Sequence, residues 1–165
     1  MSHIRLEVDF TPSSTQISAV RNFVDELWKP VCADADVRAR LGLSTHEMLD
    51  NAVRYSLDGR VLLRIDAVGS GAGYKVVLQT SAPASEVDAA KLARALEIPS
   101  SPSLASPDAR YAHEMARIDT TNSGFALRAA RIAAEGQMDL RCAYDGKTLE
   151  VTATLEVETT KGAGT

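Results

Sequence analysis

Apolar residues recur along the chain in two rhythms, and the switches between them lay out the elements in order. Ile4, Leu6, Val8 and Phe10 alternate with Arg5, Glu7 and Asp9, the period of a strand with one buried face. Thr11-Pro12-Ser13-Ser14 ends that run and offers capping side chains for a helix. In that helix Ile17, Val20, Val24, Leu27, Trp28 and Val31 form a stripe at helical spacing, with Trp28 as core and Pro30 near its end. A second helix is expected from Asp34 or Asp36 to about Ser56, with Gly42 as the point where it would be interrupted. On a helical wheel Leu49 and Val53 point one way, while Glu47, Asn51, Arg54 and Tyr55 fall on an arc away from them.

Asp58-Gly59 marks a turn, after which Val61, Leu63 and Ile65 alternate as a strand. The run Gly69-Ser70-Gly71-Ala72-Gly73 joins this strand to a partner carrying Tyr74, Val76 and Leu78. No helix follows the glycines directly, so a hairpin tip is expected and a phosphate-cradling loop is not. From Thr80 to Asn122 the pattern loosens. Val87, Leu92 and Leu96 suggest a short helix, Pro99 to Ser103 a mobile loop, and Asp108 to Ile118 a helix with Tyr111, Met115 and Ile118 on one side. Long segments of this kind are often lids or binding loops. Ser123-Gly124 then precedes an alanine-rich helix, Phe125 to Glu135, with Gly136 as its stop. Met138, Leu140, Cys142 and Tyr144 alternate in one final strand and Leu149 to Val157 in another, joined by the hairpin signal Asp145-Gly146. Thr159 to Thr165 reads as a disordered tail.

Five strands with one apolar face each call for a single covering layer of helices. The expected architecture is an α/β (α+β) two-layer sandwich with a mixed five-stranded sheet, one domain spanning residues 1–158. A chain of 165 residues is long enough to bury a core without disulfides or metals. Its net charge of −4 speaks against a nucleic-acid binder, which shows a basic stripe. There is no apolar run of membrane-span length and no signal-peptide pattern, so a cytoplasmic protein without a membrane partner is expected. Cys32 and Cys142 lie far apart and are expected to be buried, reduced thiols. His3, His46 and His113 lack the spacing of metal ligands.

The chemistry concentrates in one stretch, Leu43-Ser44-Thr45-His46-Glu47-Met48-Leu49-Asp50-Asn51-Ala52-Val53-Arg54-Tyr55-Ser56. Helical spacing stacks Glu47 and Asn51 on one face, able to reach the same small volume. A carboxylate and an amide there could serve as a general base and a metal-directing acceptor. The same pair is compatible with an ordinary solvated helix, and Asp50 beside it reads as a solvated charge.

In this order of elements, Glu47-xxx-Asn51-Ala52-Val53-Arg54-Tyr55-Ser56 resembles the Bergerat-fold superfamily of gyrase, chaperone, histidine-kinase and MutL ATPases. Its closest look is to the small bacterial anti-sigma-factor serine kinases, from the first strand to about Val157. The resemblance implies a histidine-kinase-like ATPase fold, with Glu47 as catalytic base and Asn51 as the residue that helps hold the magnesium of Mg-ATP. It further implies Arg54 facing the phosphates, and Ser123-Gly124 opening the last helix as a second phosphate element, with one glycine where two are usual. The family's Asp-x-Gly-x-Gly adenine element should follow the third strand. Here that place reads Leu78-Gln79-Thr80-Ser81-Ala82-Pro83-Ala84-Ser85, with no Asp and no Gly, leaving Thr80 or Ser81 to contact adenine. An underpaired base edge in a pocket costs about 1–3 kcal/mol per unmade hydrogen bond. The sequence therefore favours a bacterial regulatory protein of the anti-sigma-factor type, acting by binding a protein partner with nucleotide binding weakened or lost. The alternative is an active Mg-ATP-dependent serine kinase that phosphorylates an antagonist in a partner-switching pathway. The resemblance also implies a sigma-factor or antagonist partner and a homodimer.

Overall fold

The structure, a computed structural model, describes residues 3–70, 73–97, 105–116 and 123–158. The chain opens with strand β1 (His3–Phe10), followed by helices α1 (Ser14–Trp28) and α2 (Ala35–Tyr55). Next come strands β2 (Val61–Ser70) and β3 (Gly73–Pro83), helices α3 (Glu86–Leu96), α4 (Pro107–Ala116) and α5 (Ser123–Ala134), and the closing strands β4 (Asp139–Tyr144) and β5 (Thr148–Glu158). The five strands form one sheet in the order β1-β2-β3-β5-β4.

The two-layer sandwich is as expected, but the sheet is antiparallel throughout rather than mixed. The reason lies in the last hairpin. β3 and β4 run in the same direction, and β5 inserts between them, so the parallel neighbours never touch.

Local chemistry sets most element ends. Ser13 caps α1 through a reciprocal box: Gln16 N–H donates to its hydroxyl, and the Gln16 side chain accepts from its N–H. Asp34 caps α2, its carboxylate accepting from the N–H groups of Asp36 and Val37 at 2.8 and 3.2 Å. Gly59 and Gly146 have φ of +77° and +94°, the left-handed backbone that both predicted turns require.

α2 continues unbroken through Gly42. A Cβ there would meet the Arg21 side chain at 3.4 Å, an ordinary van der Waals contact, so packing does not demand the glycine. Trp28, Leu41, Leu49, Leu63, Ile65 and Leu78 are fully buried between helices and sheet. Each such burial stabilises by about 1.5–3 kcal/mol. Of the two thiols Cys32 is buried and Cys142 only half-buried. The expected loop at 99–103, Ile118 and the tail from Thr159 lie outside the described residues.

α5 lies antiparallel along α2. Its C-terminal end meets Ser44, its middle meets Glu47 and its N-terminal half meets Asp50. Gly136 follows α5, yet the left-handed residue there is Gln137, at φ 53°. Gly136 is required by packing: a Cβ would stand 2.3 Å from the Ser44 hydroxyl and 2.4 Å from the Ile132 carbonyl oxygen. Gly136→Ala is therefore expected to destabilise the fold by about 1–3 kcal/mol, read as a lowered urea midpoint at unchanged m-value.

Candidate functional site

α2 carries both key side chains into the interior. Glu47 is 6% and Asn51 5% exposed, although both lie on the arc of the helix opposite Val53. The wheel placed them off the deepest apolar face; α5 covers that side. Glu47 Oε1 accepts from Arg131 Nη1 at 2.7 Å, and Arg128 Nε stands 3.4 Å from Oε2. Arg128 Nη2 reaches Asp50 Oδ2 at 2.6 Å, and Arg54 Nε reaches the same oxygen at 3.2 Å. Arg131 Nε pairs further with Glu135 at 3.2 Å. Glu135 in turn bonds the Tyr111 hydroxyl of α4, whose pKa burial and then that carboxylate hold above its ordinary value.

The result is a chain of alternating charge: Arg54, Asp50, Arg128, Glu47, Arg131, Glu135. Asp50, expected to be solvated, is a shared acceptor for two guanidinium groups. Arg54, expected to face phosphates, lies along α2 beside Asp50 with its side chain half exposed. The cations that reach Glu47 are Arg128 and Arg131, which the sequence reading passed over. Their i, i+3 spacing on an alanine-rich helix was the available signal, since it puts both on one face.

Asn51 faces a different environment. Its Oδ1 is buried without a hydrogen-bond partner and borders a cavity of about 10 Å³. Met48, Tyr55, Leu92, Leu96, Ala129 and Ile132 are among its walls. That volume is of the order of one water. Thr80 is fully buried in the central strand β3, flanked by Leu63 and Val151. Burial pushes the Tyr55 hydroxyl up to about 12, with a hydrogen bond to Thr80 working in the opposite direction.

The element expected to contact adenine is thus plain strand. β3 runs through Thr80 and Ser81 to Pro83, paired with β5 along that length. At the start of α5 Gly124 is half-buried, and its carbonyl accepts from Arg128 Nη1 at 3.3 Å. The Ser123 side chain and Asn122 lie outside the described residues.

The residues do not fit Mg-ATP in this arrangement. Magnesium retains several waters and needs an open oxygen ligand beside the phosphates. Here Asn51 opens onto space for one water, and both Glu47 oxygens face guanidinium groups. A larger cavity, about 790 Å³, adjoins across Leu96, Ala129 and Leu140. Arg94, Arg110, His113, Ala130 and Met138 border it, and neither Glu47 nor Asn51 does. Among the described residues no cluster of His, Cys, Asp and Glu could hold a metal ion, and no helix is long and apolar enough to cross a membrane.

No protein-family model matches the chain, and no curated protein matches it. Among solved structures the chain is similar to one from the SiaB–SiaC complex of Pseudomonas aeruginosa. The similarity has a TM-score of 0.67 at 16% identity and covers 91% of this chain and 89% of the other. At that identity the likeness concerns the fold.

Two outcomes follow from the site. Glu47→Ala removes a buried acceptor shared by Arg128, whose side chain is 20% exposed, and the half-exposed Arg131, and is expected to lower unfolding stability by about 1–3 kcal/mol, with Glu47→Gln in between. Tyr55 keeps its proton to higher pH in the fold than in the unfolded chain, whose tyrosine titrates near 10.0. Stability should therefore fall as pH rises from about 10 towards 12 and be unaffected by this group below that window. Chemical denaturation across that range should show a shallower decline for Tyr55→Phe.

Proposed function

We propose that the chain is a regulatory protein that acts by docking a protein partner, through a fold of the Bergerat type whose nucleotide site is closed. The observation that carries this is the filled volume beside Asn51. Leu92 and Leu96 of α3 and Ala129 and Ile132 of α5 stand where the resemblance calls for nucleotide. The occupied carboxylate of Glu47 and the strand at Thr80 and Ser81 point the same way. A solved structure with a similar fold is a complex of two proteins, which supports docking as the mode of action. A sigma factor or an antagonist of the partner-switching type is the partner class that the resemblance suggests.

The kinase reading keeps one support. Glu47 and Asn51 remain on one face of α2, and a cavity of ligand size lies one layer of side chains away. If Leu96 and α5 moved aside, Glu47 would serve as base and Asn51 as the magnesium residue for transfer of the γ-phosphoryl group to a serine hydroxyl.

Thermal unfolding in millimolar Mg-ATP separates the two. A ligand at a hundredfold excess over its Kd raises stability by about 2.7 kcal/mol. The docking reading expects no shift in melting temperature. A shift that Asn51→Ala abolishes would instead establish nucleotide binding at this site and favour the kinase. Likewise, complex formation with the physiological partner is expected to be indifferent to Mg-ATP.

A further inference from the structure

The cavity of about 790 Å³ is bordered by neither Glu47 nor Asn51, yet it has the size that holds a small organic molecule. It lies between the C-terminal end of α3, α4, α5 and the start of β4. We propose that it binds an organic acid, with an apolar body lying along α5 and the anionic group held between Arg94 of α3 and Arg110 of α4. The apolar wall follows from the helix that also serves the motif. Arg128 and Arg131 turn one face of α5 to α2, while Ala126, Ala130 and Ala133, at helical spacing on another face, line the cavity. Methyl groups leave the room that larger side chains would fill, and Met138 and Leu140 add apolar surface beside them.

What the arginines lack sets the charge of the ligand. Among the described residues the Arg94 and Arg110 side chains have neither an ion pair nor a hydrogen bond, although they border one space from two different helices. Four carboxylates border the same space. Asp139 is held by Arg141 at 3.4 Å, and Glu114 has a partner of its own. Asp108 lies in the first turn of α4, where the helix N-terminus favours a negative charge. Glu97 is left against two guanidinium groups and the His113 imidazole, so the balance favours an anion. A guanidinium fork matches the paired oxygens of a carboxylate, sulfonate or phosphate.

The inner wall of the cavity is thin. Leu96, Ala129 and Leu140 line it and also line the water-sized void where Asn51 Oδ1 lies buried without a hydrogen-bond partner. Leu96 is the last residue of α3 and only half-buried. When it turns aside, an N–H or O–H at the inner end of the ligand donates to that oxygen, which satisfies a buried acceptor that the fold leaves open.

Fluorescence titration of the full chain tests this with two probes. Anilinonaphthalene sulfonate joins an aromatic body to a sulfonate and an N–H, and phenylnaphthylamine is the same molecule without the sulfonate. The sulfonate should bind saturably, one per chain, and the neutral amine roughly tenfold or more weakly. In the double variant Arg94→Ala, Arg110→Ala that preference should disappear. Ala130→Trp fills the cavity and should abolish binding of both probes. Leu96→Ala removes the wall in front of Asn51 and should tighten binding severalfold, a gain that adding Asn51→Leu should cancel. Circular dichroism and melting show which variants are folded. Should Ala130→Trp not fold, the arginine variant, altered at an exposed and a half-buried side chain, still decides. A fluorescence rise that never saturates, equal affinity for the two probes, a preference that survives loss of both arginines, or full binding in a folded Ala130→Trp would each overturn the proposal. So would no gain in Leu96→Ala, or a gain that persists in Asn51→Leu. Neither nucleotide nor a protein partner enters this experiment, so its failure leaves the docking reading standing.

Discussion

The contact on which the rest depends is α5 lying antiparallel along α2. α2 crosses the middle of the sheet with its apolar stripe facing down, and its other side carries Glu47, Asp50, Asn51 and Arg54. Burying a carboxylate is costly unless its oxygens are paired. α5 supplies the partners in register: Gly136 permits backbone approach at Ser44, Arg131 meets Glu47, and Arg128 spans Glu47 and Asp50. The close approach at one end and the ion pairs along the length act together. Without the glycine the helices would stand apart, and without the guanidinium groups the carboxylate would favour water.

This contact also decides what the motif can do. A carboxylate reserved for two guanidinium groups is not presented to a hydroxyl, and an amide beside space for one water is not presented to a hydrated metal. The side chains that close the space, Leu92, Leu96, Ala129 and Ile132, belong to helices whose positions follow from the same packing. Fold and closed site are therefore one arrangement.

Much of the architecture was legible from local signals. The strands alternated, the caps Ser13 and Asp34 were in place, and Asp58-Gly59 and Asp145-Gly146 turned where expected, because these features depend on residues within a few positions of one another. Elements missed or misjudged were those where a distant partner decides. Gly42 read as a break, yet α2, packed against α1 and the sheet, runs straight through it. Gly136 read as a helix stop, yet its packing on Ser44 is what demands glycine. The sheet was expected to be mixed because nothing local says that β5 slips between β3 and β4.

For the candidate site, the sequence by itself determined that Glu47 and Asn51 share a helical face and that the adenine element is absent after Leu78. Both are consequences of spacing and identity along a short stretch. Only the tertiary structure decided which cations meet Glu47, that Asp50 is shared and Arg54 turned aside, and that the volume beside Asn51 is closed. Those outcomes turn on residues 84 positions apart in sequence, such as Glu47 and Arg131. Helical periodicity says which way a side chain points, and only the packing of another element says what it finds there.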